Sequence, residues 1–272
     1  MNEYSLEMYL KQSKIIEIID EAKNIKTFRL EGTLASRPGQ FIMLYLPAIG
    51  ERPFSIYEDN GSNFSLTIAN VGTLTSALFL LKKGDQVSYY GPFGKPFEIT
   101  GKKLVMIGGG YGTAPLTYLA KEALAKGKKS QIIIGARTKD LLLYRNKKYP
   151  SGIERHYCTD DGSFGFKGFV TDKLREILRR EKVDTLYTVG PELMMKKVVE
   201  ISDDYKVDCQ ISLERYMKCG IGICGSCCVD PDGLRMCVEG PCIDKKLAQK
   251  ITEFGKYHRD SAGRKIQYSP LK

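Results

Sequence analysis

The first third of the chain is built from short runs in which apolar and polar residues alternate. Such runs occupy residues 26–30, 41–46, 64–68 and 86–90, and Pro and Gly separate them. A period of two marks a half-buried strand, and turn residues at regular intervals are typical of antiparallel connections. The pattern predicts an antiparallel β-barrel or β-sandwich over residues 1–100.

After residue 100 the pattern changes to apolar strands that alternate with helical segments. These strands and helices fall, in chain order, at residues 103–107, 115–126, 131–135, 171–180, 185–189 and 192–201. Such alternation predicts a doubly wound parallel sheet over residues 101–212, with its ligand site at the carboxyl ends of the strands.

Both periodicities fade over residues 213–272, where Gly and Cys dominate as far as Cys242. Six of the eight cysteines of the chain lie between Cys219 and Cys242. A segment of this composition cannot build a core of its own, and a metal centre is the expected organiser. We therefore predict a small third module that forms around a metal site.

Length and composition agree with this division. The chain has 272 residues and is 42% apolar, which is enough for two globular domains and a small module. The first 14 residues are charged throughout, and every apolar run is shorter than a membrane span. These features predict a cytoplasmic protein without a membrane segment, in a compartment where clustered cysteines bind metals rather than form disulfides.

The formal net charge of +10 changes this picture little. Lys and Arg are interleaved with Asp and Glu, and no basic stripe carries the aromatic residues that stack on bases. The charge predicts a solvated surface, with an acidic protein partner or an anionic cofactor as the alternative, and no nucleic acid. The only histidines, His156 and His258, lie in no catalytic motif, so we expect both at the surface and predict no catalytic residue.

The cysteine cluster is the strongest chemical signal. Its spacing is C-x4-C-x2-C followed by a fourth cysteine after nine residues, the arrangement of plant-type 2Fe-2S ferredoxins. Three glycines inside the loop permit positive φ angles and let backbone N–H groups point at sulfur. The predicted ligands are Cys219, Cys224, Cys227 and Cys237.

Two other interpretations of the cysteines are a structural zinc site and a set of unliganded thiols. Zinc sites usually pair two C-x2-C knuckles, which the C-x4-C arm fits poorly. Cys228 and Cys242 also compete for the place of fourth ligand. Cys237 is favoured over both, since adjacent side chains such as those of Cys227 and Cys228 usually diverge. Two further cysteines, at positions 158 and 209, are expected to be buried small apolar residues.

Two segments of the predicted barrel have the chemistry for a flavin nucleotide. Arg52 can pair with a pyrophosphate, and the Ser55 hydroxyl can bond the flavin or ribitol. Gly72 and Thr75 lie where a helix begins, whose N-terminal N–H groups suit a phosphate, although an ordinary helix cap explains them as well. The cofactor-binding residues predicted here are Arg52, Pro53, Phe54, Ser55, Thr67, Ile68, Ala69, Gly72, Thr73 and Thr75.

Two loops of the predicted parallel sheet suit a dinucleotide. Residues 108–115 follow an apolar strand and open a helix, but Thr113 stands where a full G-x-G-x-x-G motif has its third glycine. A Gly-Pro turn at residue 190 faces the same sheet edge, where a plain strand-to-helix turn is the alternative. The predicted nucleotide-binding residues are Gly109, Gly110, Gly112, Thr113, Gly190, Pro191 and Met194.

Taken in this order, the motifs resemble those of the ferredoxin reductase superfamily, over nearly the whole chain. In that family R-x-[YF]-[ST] and G-x-x-[TS] motifs bind FAD, and G-G-G-x-G-x-x-P and G-P-x-x-M-M motifs belong to the nicotinamide domain. Residues 135–140 and 159–163 also resemble nicotinamide-domain signatures. The resemblance implies an antiparallel FAD-binding barrel, a doubly wound parallel NAD-binding domain and a small C-terminal 2Fe-2S module.

The C-terminal motifs narrow the resemblance to one branch. Residues 212–224 and 237–241 are similar to the electron-transfer subunit of the two-subunit, NAD-linked dihydroorotate dehydrogenase. The gamma subunit of sulfhydrogenases and the small subunit of bifurcating ferredoxin:NADP oxidoreductases share almost the same motifs. This chain departs from the branch by having Cys242-Ile243 after Gly-Pro, where Val-Phe is usual, and by the additional Cys228.

The resemblance implies an oxidoreductase subunit of pyrimidine biosynthesis that does no substrate chemistry itself. Dihydroorotate would be oxidised at FMN in a partner catalytic subunit, within a heterotetramer, and electrons would pass through the 2Fe-2S cluster and FAD to NAD. The rival hypotheses are a hydrogenase or bifurcating-complex subunit and a zinc-organised binding module. NADP stays open, because Arg137 and Lys139 suit a 2′-phosphate but are equally compatible with solvent.

Overall fold

The first unit of the computed structural model, which describes residues 9–145 and 149–268, is a closed antiparallel barrel. Its strand order is β1-β2-β5-β4-β3-β6, and β1 closes the barrel by pairing with both β2 and β6. A helix, α1, connects β5 to β6. The elements are β1 Lys11–Ala22, β2 Ile25–Glu31, β3 Phe41–Leu46, β4 Gly50–Asp59, β5 Asn63–Ala69, α1 Thr73–Leu80 and β6 Gln86–Phe93.

Alternation along the strands explains why the barrel closes. Every second residue points inward, and the inward residues form one apolar core. Each large side chain buried there contributes about 1.5–3 kcal/mol relative to exposure. The predicted barrel is thus confirmed, and its core includes Ile15, Phe28, Leu30, Ile42, Leu44, Ile56, Phe64 and Leu66.

The second unit is a parallel sheet with helices on its faces. The new strands lie in the order β10-β9-β8-β7-β11-β12, so chain order reverses at the central β7, as in doubly wound folds. The prediction of a doubly wound sheet is confirmed. The elements are β7 Lys103–Gly109, α2 Thr113–Ala125, β8 Lys129–Ala136, β9 Ile153–Thr159, β10 Phe166–Lys167, α3 Val170–Arg180, β11 Thr185–Val189, α4 Glu192–Asp204 and β12 Asp208–Ser212.

The C-terminal segment is not separate from this sheet. Strand β15 joins it as an antiparallel edge strand beside β12, with Ser212 opposite Cys242. Two short hairpins and one helix complete the segment, and none of them was predicted. The elements are β13 Cys228–Val229, β14 Leu234–Arg235, β15 Cys242–Asp244, α5 Lys245–Lys250, β16 Tyr257–Arg259 and β17 Lys265–Gln267.

The barrel and the parallel sheet pack directly against each other. On α2, the Tyr118 hydroxyl donates to the Ser36 carbonyl at 2.8 Å. Tyr144, in the loop after β8, is buried with its hydroxyl 2.8 Å from Thr67 Oγ1 and its ring stacked on Tyr57 at 5.1 Å between centroids. These contacts fix the barrel and the sheet relative to each other.

The histidines are less exposed than the sequence suggested. His156 is half-buried on β9, where its Nε2 lies 2.9 Å from Gln131 Oε1. His258 is also half-buried, and its ring lies 5.1 Å from that of Tyr268. Both rings thus lie at the surface with partial exposure, because strand and hairpin packing covers part of each ring.

Over residues 9–145 and 149–268, no helix has both the length and the apolar character needed to cross a membrane.

Candidate functional site

The predicted flavin segment, residues 52–55, lies in the first half of β4. Strand β3 pairs with it throughout, so that Pro53 lies opposite Met43. The half-buried Phe54 packs against the barrel core. Ser55 is also half-buried and sits two residues further along the strand than Pro53. Regular pairing holds this segment as one rigid edge of the barrel.

Arg52 is exposed at the start of this segment. Its Nη1 donates to the Glu51 carbonyl at 2.7 Å, and its guanidinium lies 5.4 Å from the centre of the Tyr216 ring. Tyr216 belongs to the stretch that leads into the cysteine loop. The cation predicted to meet a pyrophosphate therefore stands between the barrel and the cysteine module.

Helix α1 begins at Thr73 without a side-chain cap, because its N-cap residue is Gly72. Thr75 is buried, and its Oγ1 accepts from the N–H groups of Val71 and Gly72 at 2.9 Å each. Thr75 thus stabilises the entry to the helix. Because Gly72 has no side-chain acceptor, the first-turn N–H groups suit an anion, which agrees with a phosphate site.

The remaining predicted flavin residues lie on β5, next to this helix. Thr67 is buried, and its Oγ1 lies 2.8 Å from both Thr27 Oγ1 and the Tyr144 hydroxyl. Ile68 is buried in the barrel core, while Ala69 is half-buried. The side chain of Thr67 is therefore committed to the contact between barrel and sheet.

The two predicted nucleotide loops touch each other. A methyl group on Gly112 would lie 2.8 Å from Gly190 Cα, and one on Gly109 would lie 2.7 Å from Pro191 Cδ. Both loops follow neighbouring strands, β7 and β11, at their carboxyl ends. The glycines allow the backbones to approach closely at the switch point of the sheet, which is where nucleotides bind in such folds.

Thr113 and Met194 contact the same crossing of the two loops. Thr113 is fully buried in place of a third glycine, and a methyl group on Gly108 would lie 2.5 Å from its Oγ1. That Oγ1 has no hydrogen-bond partner among the described residues. Met194 is half-buried, with its Sδ 2.9 Å from the position that a Gly109 methyl would take. Gly110, at φ +56, has open space around it.

The four predicted cluster ligands come together in two pairs. The buried sulfurs of Cys227 and Cys237 lie 3.3 Å apart. The Cys224 N–H donates to Cys219 Sγ at 3.4 Å, and Cys224 is exposed. In the described part of the chain, no three Cys, His, Asp or Glu side chains converge on one point. Two pairs suit two metal positions, since a 2Fe-2S cluster takes two protein ligands on each iron.

Hydrogen bonds shift the pKa values of three of these thiols, in opposite directions within one pair. The hydrogen bond between Cys227 and Cys237 lowers the pKa of Cys227 and raises that of Cys237. Burial alone would raise the pKa of Cys224, but hydrogen bonds with Ser226 and Cys219 outweigh it and bring that pKa to about 7. Thiolates are the form that ligates a metal.

The glycines of the loop adopt the backbone that the sequence predicted. Gly220, Gly222 and Gly225 have φ angles of +70°, +80° and +70°, which disfavour any other residue. A methyl group on Gly220 would also lie 2.6 Å from Met43 Cγ on β3. The loop therefore wraps closely around its cysteines and lies against the barrel, which fits a bound iron–sulfur cluster.

The competing cysteines are placed differently. Cys242 is buried against the barrel, with its Sγ 3.7 Å from the Gly39 carbonyl oxygen. Cys228 is half-buried in β13, opposite Arg235. Two further cysteines, Cys158 and Cys209, are buried as expected. Of the two rivals to Cys237 as fourth ligand, only Cys228 stays near the loop.

The cysteine loop lies directly beside the flavin segment. Gly220 contacts Met43, which is the ladder partner of Pro53. On β6, the Tyr90 hydroxyl donates to the Glu51 carboxylate and lies 3.5 Å from the Cys219 carbonyl oxygen. Sequence reasoning missed these contacts, because they join residues that are far apart in the chain.

The loop after β8 and the loop after β9 contact each other. The Asp161 N–H donates to the Arg137 carbonyl at 3.3 Å, and the Lys139 N–H donates to Ser163 Oγ at 2.8 Å. Desolvation raises the pKa of Asp160, and the nearby Arg137 guanidinium opposes that shift. A carboxylate therefore accompanies Arg137, one of the two residues that the sequence offered for a 2′-phosphate.

Comparison with protein families gives two matches. Residues 106–200 match the oxidoreductase NAD-binding domain. Residues 214–247 match the iron-sulfur cluster binding domain of dihydroorotate dehydrogenase B. The second match covers all four predicted cluster ligands, and the first covers the glycine loop and the Gly-Pro turn.

Curated relatives are similar over almost their full length. A protein of Methanocaldococcus jannaschii, named a probable dihydroorotate dehydrogenase B (NAD(+)), electron transfer subunit, is 46% identical over 94% of this chain and 97% of its own. A protein of the same name from Methanothermobacter thermautotrophicus is 40% identical over 94% and 96%. Among solved structures, that of the NADH-dependent reduced ferredoxin-NADP oxidoreductase, studied for flavin-based electron bifurcation, is 30% identical. Its TM-score is 0.80 over 88% of this chain and 89% of that one.

Proposed function

The chain belongs to the electron transfer subunits of dihydroorotate dehydrogenase B, and from that premise we propose how it works. It is an oxidoreductase subunit that passes electrons between a catalytic partner subunit and NAD in pyrimidine biosynthesis. The partner oxidises dihydroorotate at FMN. This chain carries FAD and a 2Fe-2S cluster, which together convert one-electron transfer into the hydride transfer that nicotinamide requires.

The residues divide into three binding sets. Arg52 and Ser55 of β4, with the N-terminus of α1, would hold FAD, since the cation and the uncapped N–H groups suit its pyrophosphate. The crossing of the glycine loop and the Gly-Pro turn would hold NAD. The four cysteines would hold the two irons, and the proposed units are residues 1–100 for FAD, 101–212 for NAD and 213–272 for the cluster.

One observation supports the proposed electron transfer between the cluster and the flavin. The cysteine loop packs on Met43, whose ladder partner Pro53 belongs to the flavin segment. A cluster in this loop would therefore lie next to a flavin on β4, while the nucleotide loops sit on the adjoining sheet. The fold's contribution is to keep three sites at fixed, short separations.

The exposed end of the cysteine loop suits the catalytic partner. Cys224 is exposed, and the neighbouring Ile223 is 79% exposed, so this end of the loop presents a predicted cluster ligand and an apolar side chain side by side. We propose that this end meets the partner subunit in a cytoplasmic heterotetramer of two copies of each chain.

NAD is favoured over NADP as the nucleotide. The relatives' names specify NAD(+), and Asp160 stands near Arg137 in this chain. A carboxylate there disfavours a 2′-phosphate through like-charge repulsion.

Co-expression with the catalytic subunit tests the proposal. The purified complex should contain flavin, iron and acid-labile sulfide, and it should reduce NAD+ when dihydroorotate is added. The catalytic subunit alone should oxidise dihydroorotate with an artificial acceptor but not with NAD+. Equal NAD+ reduction by the catalytic subunit alone would contradict the proposal.

A second candidate is a subunit of a ferredoxin:NADP oxidoreductase complex, which the TM-score of 0.80 favours. Purification from the native organism separates the two, because that candidate requires a partner rich in cubane clusters. A colourless protein with stoichiometric zinc would instead indicate a zinc-organised binding module.

A further inference from the structure

A buried ionic network lies between the Gly-Pro turn and the cysteine loop. The Arg215 side chain is 2% exposed, and it donates from Nη1 and Nη2 to the Glu192 carboxylate at 2.6 and 3.2 Å. Its Nε donates to Glu253 Oε1 at 2.8 Å. Glu192 also accepts from the Gly255 N–H and the Tyr268 hydroxyl, at 2.7 Å each. Four separate parts of the chain thus meet in one network centred on the Arg215–Glu192 pair.

Glu192 and Arg215 each lie next to a site that the proposed electron transfer uses. Glu192 is the first residue of α4 and directly follows the Gly190–Pro191 turn. Arg215 lies in residues 214–219, which we call the connector, because this stretch leads from β12 to the first cluster cysteine. The network therefore ties the nucleotide turn to the connector.

The connector makes two further contacts along its length. The Tyr216 ring lies 5.4 Å from the Arg52 guanidinium of the flavin segment. Cys219, at its end, places its carbonyl oxygen 3.5 Å from the Tyr90 hydroxyl of β6. Consecutive parts of the connector thus contact the nucleotide turn, the flavin strand and β6, and the connector ends at the first cluster cysteine.

Stability alone explains the network poorly. Burying a guanidinium and two carboxylates costs desolvation that their attraction often fails to recover, and apolar side chains of similar volume serve stability as well. Glu253 Oε2 is moreover buried without a hydrogen-bond partner among the described residues, and the Arg259 Nε cation approaches it only to 3.9 Å. What an ionic network supplies in addition is directional geometry, through the two parallel bonds from Arg215 to Glu192.

We propose that Arg215 is a positioning residue, which holds the connector so that the nucleotide turn, the flavin strand and Cys219 keep one mutual arrangement. The inference rests on the proposed function, since it concerns residues that serve the FAD, NAD and cluster sites. Arg215 touches none of the reacting groups. It acts through Glu192 on one side and through Tyr216 and Cys219 on the other.

The test compares Arg215→Met, Arg215→Lys and Glu192→Gln with the wild-type holoprotein. Arg259→Met is the matched control, because Arg259 also approaches Glu253, at 3.9 Å, but lies outside the connector. Iron, acid-labile sulfide and flavin contents are measured first. Hydrogen exchange then reports the connector amides, and anaerobic stopped flow separates flavin reduction by NADH from the one-electron reduction of the cluster.

In Arg215→Met and Glu192→Gln, exchange in residues 214–219 should increase, and cluster reduction should slow by about tenfold at unchanged cofactor content. Arg215→Lys should recover part of the rate, since it retains the charge but not the paired bonds. Arg259→Met should match the wild type in both measurements.

Wild-type exchange and cluster reduction in fully loaded Arg215→Met would overturn the proposal. So would failure of both Arg215→Met and Glu192→Gln to fold, because the network would then serve stability alone. A wild-type protein that binds neither flavin nor cluster would instead refute the proposed function, so the two failures are distinguishable.

Discussion

At the scale of single residues, Cys237 and Cys228 are the two candidates for the fourth cluster ligand. Cys237 lies buried with its sulfur 3.3 Å from that of Cys227, whereas Cys228 is half-buried on β13. Cys237→Ala should therefore lose most iron and acid-labile sulfide, because one metal position keeps a single ligand. The matched Cys228→Ala should retain both. Loss of iron and sulfide from Cys228→Ala alone would reverse the assignment.

His156 makes stability depend on pH. Burial lowers the pKa of His156 below 6.5, even though Glu154 opposes the shift. The folded state therefore binds fewer protons than the unfolded state, and the free energy of unfolding should fall as pH drops below about 6.5. Urea unfolding between pH 7.5 and 5 should show a smaller decrease for His156→Gln than for wild type. Equal slopes would refute this role of His156.

At the scale of elements, the apolar and polar pattern of the sequence predicted the helices and strands that are long enough to carry such a pattern. The strands at 41–46 and 185–189 have the predicted bounds, since each is a continuous run of at least four buried residues, which the sequence shows as an apolar run. Strand β15 and helix α5 have three and six residues, and such short elements carry no period of their own. Tertiary packing creates them, because β12 offers β15 an open sheet edge.

The sequence predicted the parts of the candidate site that consist of contiguous motifs. It did not predict the parts that are formed by residues far apart in the chain. The cysteine loop and the glycine loop are each contiguous in sequence, and their spacing implies their chemistry. Arg215 meets Glu192 and Glu253 at separations of 23 and 38 residues, which no local pattern can indicate. The same holds for Tyr90, which reaches Cys219 across 129 residues.

The crossing of the nucleotide loops gives a prediction at this scale. A methyl group on Gly112 would lie 2.8 Å from the Gly190 backbone, which cannot yield as a flexible side chain would. Gly112→Ala should therefore lower the free energy of unfolding by about 1–3 kcal/mol and weaken NADH binding.

Gly72→Ala is the stability control for this substitution, since its φ of −175° suits any residue and its surroundings are open. Its unfolding free energy should stay within about 0.5 kcal/mol of wild type. Urea denaturation and NADH titration make the comparison. A Gly112→Ala protein as stable as Gly72→Ala would show that the loops do not pack as described.

At the scale of the whole molecule, the barrel and the sheet form one packed body joined by Tyr144. Its buried hydroxyl reaches Thr67 of the barrel at 2.8 Å. Tyr144→Phe should lower the free energy of unfolding by about 1 kcal/mol, because a buried hydrogen bond is lost while ring packing remains. Urea denaturation followed at two wavelengths should still give one transition. No change in the denaturation midpoint would show that this bond does not help to join the two units.

The account as a whole depends on a flavin and an iron–sulfur cluster that exchange electrons within this one chain. Anaerobic titration of the purified chain with NADH, followed by absorbance and then by electron paramagnetic resonance, measures this directly. We expect the flavin absorbance to bleach and a one-electron iron–sulfur signal to appear, with two irons and two acid-labile sulfides per chain. A protein without labile sulfide, in which NADH produces no paramagnetic iron signal, would contradict the account.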